Sequence, residues 1–193
     1  MGILLYTILP VIIAGILNMV WVKTSLLSSL AKPMDAGYEL ADGRRLFGDN
    51  KTWKGFWGMV FFTAICTSIF HLLSLIFSEL QPFSIIPYSE YTWPWESLFF
   101  GAIWGLAYVA FELPNSYIKR RLEIRSGENA SGLKGAIFIV IDQADSVIGC
   151  VLVMPLFCDI NLQEAITTIV IATLLHLFCN FLLYLVGLKN QPC

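Results

Sequence analysis

Charge is what this chain has least of. Only 13% of its 193 residues are Asp, Glu, Lys or Arg, whereas 57% are apolar. A soluble domain of this size needs more charge than that to cover its surface, so a water-soluble globular protein is excluded. Two stretches, 81–97 and 158–164, contain no Lys or Arg at all. The five cysteines lack metal-ligand spacing and fall mostly in apolar runs, so no disulfide framework is expected. The N-terminus lacks a basic n-region and a small-residue cleavage site, and its first apolar run is therefore read as a retained span rather than a signal peptide. No internal repeat is present, which counts against transporter folds built from duplicated halves.

What is present is apolar length. Five runs, 3–22, 56–80, 98–113, 136–157 and 165–188, are long enough to cross a bilayer, which takes ~20 helical residues. With their loops they use up the chain. The expectation is an all-α, polytopic membrane protein of about five transmembrane helices, folded as a single domain over residues 1–193. Pro114 is expected to interrupt the third span near its end.

The few charges are ordered. Loop 31–55 carries Lys32, Arg44, Arg45, Lys51 and Lys54, and loop 114–135 carries Lys119, Arg120, Arg121, Arg125 and Lys134. The alternate segments carry only the acids Glu90, Glu96, Asp159 and Glu164, and Lys189 follows the last span. By the positive-inside rule the basic loops and the C-terminus are cytoplasmic and the N-terminus is outside. Lys23, near the end of the first span, can snorkel to the same face. The outer loop 81–95, rich in Pro, Tyr and Trp, reads as an interfacial aromatic belt.

Four polar constellations carry what chemistry there is. The first is Asp42-Gly-Arg-Arg-Leu-Phe-Gly-Asp-Asn-Lys-Thr-Trp-Lys-Gly55, with four cations in eleven residues. Glycine lets backbone N–H groups approach an anion, and Arg and Lys supply charge-assisted bonds to phosphate oxygens. A topogenic loop lying against anionic headgroups explains the same composition. The Lys51-Thr52 pair lacks the glycine spacing of a P-loop. The second runs from Glu112 to Arg121, where Ser116, Lys119 and Arg120 share a face if the chain is helical. An acid at the rim of a span, such as Glu112, usually has a partner.

The third is Asp142-Gln-Ala-Asp-Ser146. On a helix both carboxylates point one way, and they repel unless a cation or protons neutralise them. Oxygen ligands of this kind suit Mg²⁺, which keeps waters and bridges to substrate phosphates; the alternative is an acid pair satisfied by a neighbouring Arg. The fourth is His176 and Asn180, four residues apart on the last span, either a hydrogen-bonded helix contact or part of the same polar interior. Ser116 and Ser146 read as binding hydroxyls rather than nucleophiles, because no His is near either in sequence. A cation-rich rim above a membrane-embedded acid pair suggests a polyphosphate arriving from water and an amphiphile arriving from lipid. An ion-coupled transporter using the acids as a relay is the rival reading.

These segments resemble the signature of the CDP-archaeol synthases. The resemblance covers the loop 42–56, Ser116-Tyr-Ile-Lys-Arg-Arg121, Asp142-Gln-Ala-Asp145 followed by Gly149, His176 and Asn180 with Tyr184-Leu-Val-Gly-Leu-Lys189, and the early Leu9-Pro10 and Lys32-Pro-Met-Asp35. The wider phosphatidate cytidylyltransferases have a pattern similar to Ser116-x-x-Lys119-Arg120 and Asp142-x-x-Asp145-Ser146. The resemblance implies that CTP and a lipid phosphate of the bilayer react to give a CDP-lipid and pyrophosphate, with Mg²⁺ as cofactor. It assigns catalysis to Asp142, Asp145 and Lys119, with the two aspartates as metal ligands. It places Asp42, Arg44, Arg45, Asp49, Asn50, Lys51, Lys54, Ser116, Arg120, Ser146, His176 and Asn180 among the substrate-binding residues. A CTP-dependent lipid kinase, transferring only the γ-phosphoryl group, is the nearer rival. No nucleic-acid partner is expected.

Overall fold

The computed structural model describes residues 2–128 and 130–187. Among them lie five long helices: α1 (Gly2–Lys23), α2 (Trp53–Ile76), α3 (Trp95–Arg121), α4 (Gly132–Val153) and α5 (Leu162–Leu185). Apart from two isolated β-bridges, the described residues form no strand. Every helix is long and apolar enough to cross a bilayer, with mean hydropathies between 1.4 and 2.1. The all-α, five-span expectation therefore holds, and the chain is a multi-pass membrane protein. The predicted end of the last span at Leu188, and Lys189 beyond it, lie outside the described residues.

The helix ends differ from the expected runs by one to eight residues, and two of these differences bear on the site. α2 starts at Trp53 rather than Phe56, because Thr52 caps it: Thr52 Oγ1 accepts the Gly55 N–H at 3.1 Å. Trp53 and Lys54 thus belong to the helix and not to the loop. α3 is not interrupted at Pro114 but continues to Arg121. Proline removes one backbone donor, yet packed neighbours and local adjustment re-satisfy the freed carbonyl in a membrane bundle. Lys119, Arg120 and Arg121 then occupy the last turn of α3, where positive charge complements the helix dipole.

Small residues set the spacing of the bundle. A Cβ on Gly101 would lie 2.7 Å from the Ala64 Cα, one on Gly105 2.8 Å from the Val60 Cα, and one on Gly149 2.7 Å from the Ala107 carbonyl oxygen. These contacts seat α3 directly on α2 and α4 on α3, the close backbone approach that holds membrane helices together where no hydrophobic driving force acts between them. Buried Trp104 fills the centre, its indole N–H donating to the Cys150 carbonyl at 3.1 Å. The result fixes the register between α3 and α4, on which the site depends.

The loop between α2 and α3 is only partly the aromatic belt expected of it. Trp93, Trp95 and Phe83 are exposed, but Ile86 and Tyr88 turn inward and are almost fully buried. Tyr88 stacks on buried His71, with ring centroids 5.3 Å apart. The Ile85 N–H donates to Thr7 Oγ1 at 2.9 Å and the Trp93 indole to the Ser68 carbonyl at 3.2 Å. Those bonds tie the loop to Thr7 of α1 and Ser68 of α2, so the loop closes that end of the bundle.

Candidate functional site

The site is built on the last three turns of α3 and the middle of α4. Glu112, Asn115, Ser116, Lys119 and Arg120 recur at three- and four-residue spacing, so they form one stripe, and all five line a single cavity. Asp142 and Asp145 meet that stripe from α4. Lys119 Nζ donates to Asp142 Oδ2 at 2.7 Å. Asn115 Nδ2 donates to Asp142 Oδ1 at 2.7 Å and to Asp145 Oδ2 at 2.8 Å. One amide thus bridges the two carboxylates, and one ammonium offsets half of their charge. The partner from a neighbouring segment is accordingly a lysine and an asparagine, not an arginine.

The cavity holds about 730 Å³. One end is polar, walled by Asp49, Asn50, Lys51, Lys119, Arg120 and the acid pair; the other runs into the bundle against Val11, Met59, Trp104, Val151 and Met154. The donor set at the junction fits a hard divalent cation. Asp142 and Asp145 are oxygen ligands, and Asn115 Oδ1 is buried with no partner; a half-turn of that amide would bring a third oxygen to the same point. No group of three or more His, Cys, Asp or Glu side chains is gathered for a metal among the described residues. Such a cation would take its remaining ligands from water and phosphate, as Mg²⁺ commonly does.

Loop 31–52 closes over the polar end. Its base is paired where the Met34 N–H donates to the Lys51 carbonyl at 2.7 Å and the Trp53 N–H to that of Lys32 at 3.1 Å. Asp35 organises its centre. The carboxylate accepts from Arg45 Nη2 at 2.5 Å and from the Phe47 and Gly48 N–H groups at 3.0 and 2.9 Å. The Asp35 side chain is fully buried, which alone would favour the neutral acid. The Arg45 guanidinium and the backbone donors outweigh that and hold its pKa well below the usual carboxylate range. Gly48 has φ +98°, and a Cβ there would fall 2.0 Å from Ser126 Oγ, so only glycine lets this turn pack on loop 122–131.

The loop cations differ in placement. Lys51 enters the cavity and pairs with Glu112, the partner expected for that rim acid. Burial disfavours the ammonium, but Glu112, Asp145 and Asp142 carry its pKa above the ordinary lysine value, so it is charged at neutral pH. Lys54 also lines the cavity but is almost fully buried, its ammonium donating to the Thr24 carbonyl at 2.6 Å and lying 4.9 Å from the Trp21 ring centroid. Asp42, Arg44 and Arg45 are not on the cavity wall. Arg44 binds the Arg121 carbonyl and Glu123, each at 2.5 Å, while Asp42 pairs with Arg121 and Arg45 with Asp35 and Asp49. The contacts of Arg44 and Asp42 strap the loop to the end of α3, whereas those of Arg45 lie within the loop.

His176 and Asn180 reach the cavity from α5, and both bind Gln143, the neighbour of Asp142. The His176 Nδ1–H donates to the Gln143 carbonyl at 3.2 Å, which leaves Nε2 to accept from the Tyr108 hydroxyl at 3.2 Å. Asn180 Nδ2 donates to Gln143 Oε1. The two readings of this pair are therefore joined, since the helix contact and the polar interior are the same network. Ser146 is fully buried and off the cavity wall. Sequence reasoning passed over Asn115, Gln143, Tyr108 and the central place of Asp35. Asn115 had a usable signal: it stands three residues after Glu112 and four before Lys119, on their face.

A sequence model of the CarS-like CDP-archaeol synthase family matches residues 1–193. The chain is 30% identical over 161 residues to the CDP-archaeol synthase of Thermofilum pendens, covering 83% of this chain and 65% of that one. It thus spans just under two thirds of that relative's length. It is 30% identical over 164 residues to the enzyme of that name from Archaeoglobus fulgidus, with 83% of each chain covered. With that of Methanosarcina barkeri it shares 31% identity over 175 residues, covering 83% of this chain and 90% of the other. The fold is similar to a solved intramembrane enzyme for archaeal membrane lipid biosynthesis, with a TM-score of 0.55, 24% identity, and 88% and 90% of the two chains covered.

Proposed function

Because the chain belongs to the CDP-archaeol synthase family, we propose that its acid pair and cavity carry out a cytidylyl transfer, in which CTP and a membrane lipid phosphate give a CDP-lipid and pyrophosphate. The observation that carries this reading is the convergence of Lys119 and Asn115 on Asp142 and Asp145 at the junction of a polar and an apolar compartment. One compartment suits a polyphosphate and the other suits hydrocarbon. Residues 1–193 act as one catalytic domain. The basic loops face the cytoplasm, where CTP is found, and the N-terminus lies outside; the alternation of basic and acidic loops supports that orientation.

The reaction needs no covalent enzyme intermediate. An oxygen of the lipid phosphate is already anionic and attacks the α-phosphorus of CTP in line. The new P–O bond forms as the bond to the β-phosphate oxygen breaks, and pyrophosphate leaves with the electron pair. The protein must bring two anions together and stabilise charge on the leaving group. Lys51, Lys119 and Arg120 bind phosphate oxygens from the cavity wall. Asn50 and Ser116 orient the nucleotide there. Asp142 and Asp145 would hold Mg²⁺, which would supply positive charge to offset that of the phosphates. Asp42, Arg44, Arg45 and Asp49 act one step removed by fixing the loop that presents Lys51. His176 and Asn180 act through Gln143, steadying the helix turn that bears Asp142.

Radiolabelled CTP supplied with a series of lipid phosphates tests the reading. The expected products are a labelled CDP-lipid and pyrophosphate in equal amounts. Release of CDP with a phosphorylated lipid would replace it with the kinase reading, and ion flux without CTP turnover would replace it with a transporter.

A further inference from the structure

Five cations line the cavity: Lys23, Lys51, Lys54, Lys119 and Arg120. Four of them are committed. Lys51 is paired with Glu112 and Lys119 with Asp142. The Lys54 ammonium is buried against the Thr24 carbonyl, and Arg120 Nη1 donates to Ser126 Oγ at 3.1 Å. Lys23 differs from all four. Among the described residues its ammonium has neither an ion pair nor a hydrogen bond, and the residue is exposed. An ammonium with no counter-ion attracts an incoming anion more strongly than one whose charge is already offset.

Position decides which anion that is. Lys23 is the last residue of α1, and the wall before it, Met19 and Val22, is apolar. Only 22% of the α1 span is buried, so most of that helix borders lipid. A lysine stem lies along apolar surface and carries its head to the interface. An anion attached to hydrocarbon therefore reaches Lys23 at the level where its own apolar part ends. A nucleotide arriving from water meets loop 31–52 and the end of α3 first, where Lys51, Lys119 and Arg120 stand with the acid pair.

Resting on the reading that the cavity joins CTP to a lipid phosphate, we infer that Lys23 binds the phosphate of the lipid substrate and positions it for attack. Lys51, Lys119 and Arg120 are left to the triphosphate. A phosphomonoester head carries close to two negative charges at neutral pH, and a phosphodiester only one. Lys23 accordingly favours the monoester over the diester lipids around it.

The test compares Lys23→Gln and Lys23→Arg with the unmodified protein in vesicles, using a dialkylglycerol phosphate expressed as mole fraction of lipid. Lys23→Gln should raise KM for that lipid about tenfold, the scale of a lost charge-assisted bond, and leave KM for CTP nearly unchanged. Lys23→Arg, which keeps the charge, should stay within a few-fold of the unmodified protein. Native mass spectrometry without CTP gives a second measure. The unmodified protein should retain the dialkylglycerol phosphate in preference to the dialkylglycerol of the same chains, and Lys23→Gln should lose that preference. Equal rises in KM for both substrates, or no change in either, would overturn the assignment. So would displacement of the monoester by an equal amount of a phosphodiester lipid, which would make Lys23 a general headgroup contact. Failure of Lys23→Gln and Lys23→Met alike to insert would mark the residue as topogenic and overturn it as well. Absence of CTP turnover by the unmodified protein counts against the cytidylyltransferase reading, while retention of the lipid phosphate still decides the role of Lys23.

Discussion

Lys119 Nζ and Asp142 Oδ2 stand 2.7 Å apart across the seam of α3 and α4. The cation proposed to meet phosphate and the carboxylate proposed to hold metal thus share one contact. Lys119→Met should lower turnover about a hundredfold or more, the scale of losing one charge stabiliser, while the protein still inserts. Lys119→Arg should recover little, because a planar guanidinium cannot replace a compact ammonium beside Asn115 and Asp142. Steady-state kinetics on both variants check this; wild-type kcat in Lys119→Met would remove the lysine from the reaction.

Asp142→Asn and Asp145→Asn nearly preserve shape and remove charge. If the pair serves packing alone, relief of like-charge repulsion makes either change mild or stabilising. As metal ligands, each should abolish transfer without a matching loss of thermal stability. Glu at either position should also fail, since Mg²⁺ tolerates little departure from octahedral geometry. Turnover and melting must be measured on the same preparations, and a double Asn variant with normal Mg²⁺ dependence would exclude the pair from catalysis.

Lys51 and Arg44 lie seven residues apart in one loop but should respond differently. Lys51 lines the cavity and Arg44 faces Glu123 outside it. Lys51→Met should weaken CTP binding about tenfold or more, the scale of a lost charge-assisted bond. Arg44→Ala should change it a few-fold at most, through the loop. Equal losses in calorimetric CTP titrations would assign the loop a diffuse electrostatic role.

Much of this site could be read from sequence. Two carboxylates three residues apart within an apolar run have few structural explanations, so Asp142 and Asp145 stood out. Asn115 carries no charge and sits beside a proline, and its bridging role appears only when α3 is seen to continue through Pro114. The loop cations were visible as a cluster, but not the side each would face. That depends on which acid each meets: Glu112 and Glu123, distant in sequence, draw Lys51 inward and Arg44 away, while Asp35 of the same loop holds Arg45.

Asp35 should govern the order of that loop. Its pKa is held below the usual carboxylate range, so its contribution is complete above the unfolded value near 4. That contribution is lost only as the pH falls through the lower folded value. Hydrogen exchange at the Phe47 and Gly48 amides should therefore show the same protection factors at pH 5 and pH 7. In Asp35→Asn that protection should fall at both, by on the order of 3 kcal/mol if Arg45 is left without its buried partner. Unchanged protection in the variant would show that the turn holds itself.

Orientation can be read chemically. A membrane-impermeant thiol reagent should label Ser89→Cys in sealed cells and spare Glu128→Cys until the cells are opened; both positions are exposed. The reverse pattern would place the basic loops outside and remove the cavity from cytoplasmic CTP.

The burial of Lys54 against Thr24 and Trp21 has a mechanical consequence. Its ammonium fastens the start of α2 to the carbonyl just beyond the end of α1, and the Asn18 amide adds a second tie to the Gly55 carbonyl at 3.0 Å. α1 therefore cannot slide along its own axis to follow a bilayer that thickens or thins. Hydrophobic mismatch must be taken up by tilting α1 and α2 as a pair or by deforming the surrounding lipid. The depth of the apolar compartment relative to the acid pair stays constant while the membrane around it changes.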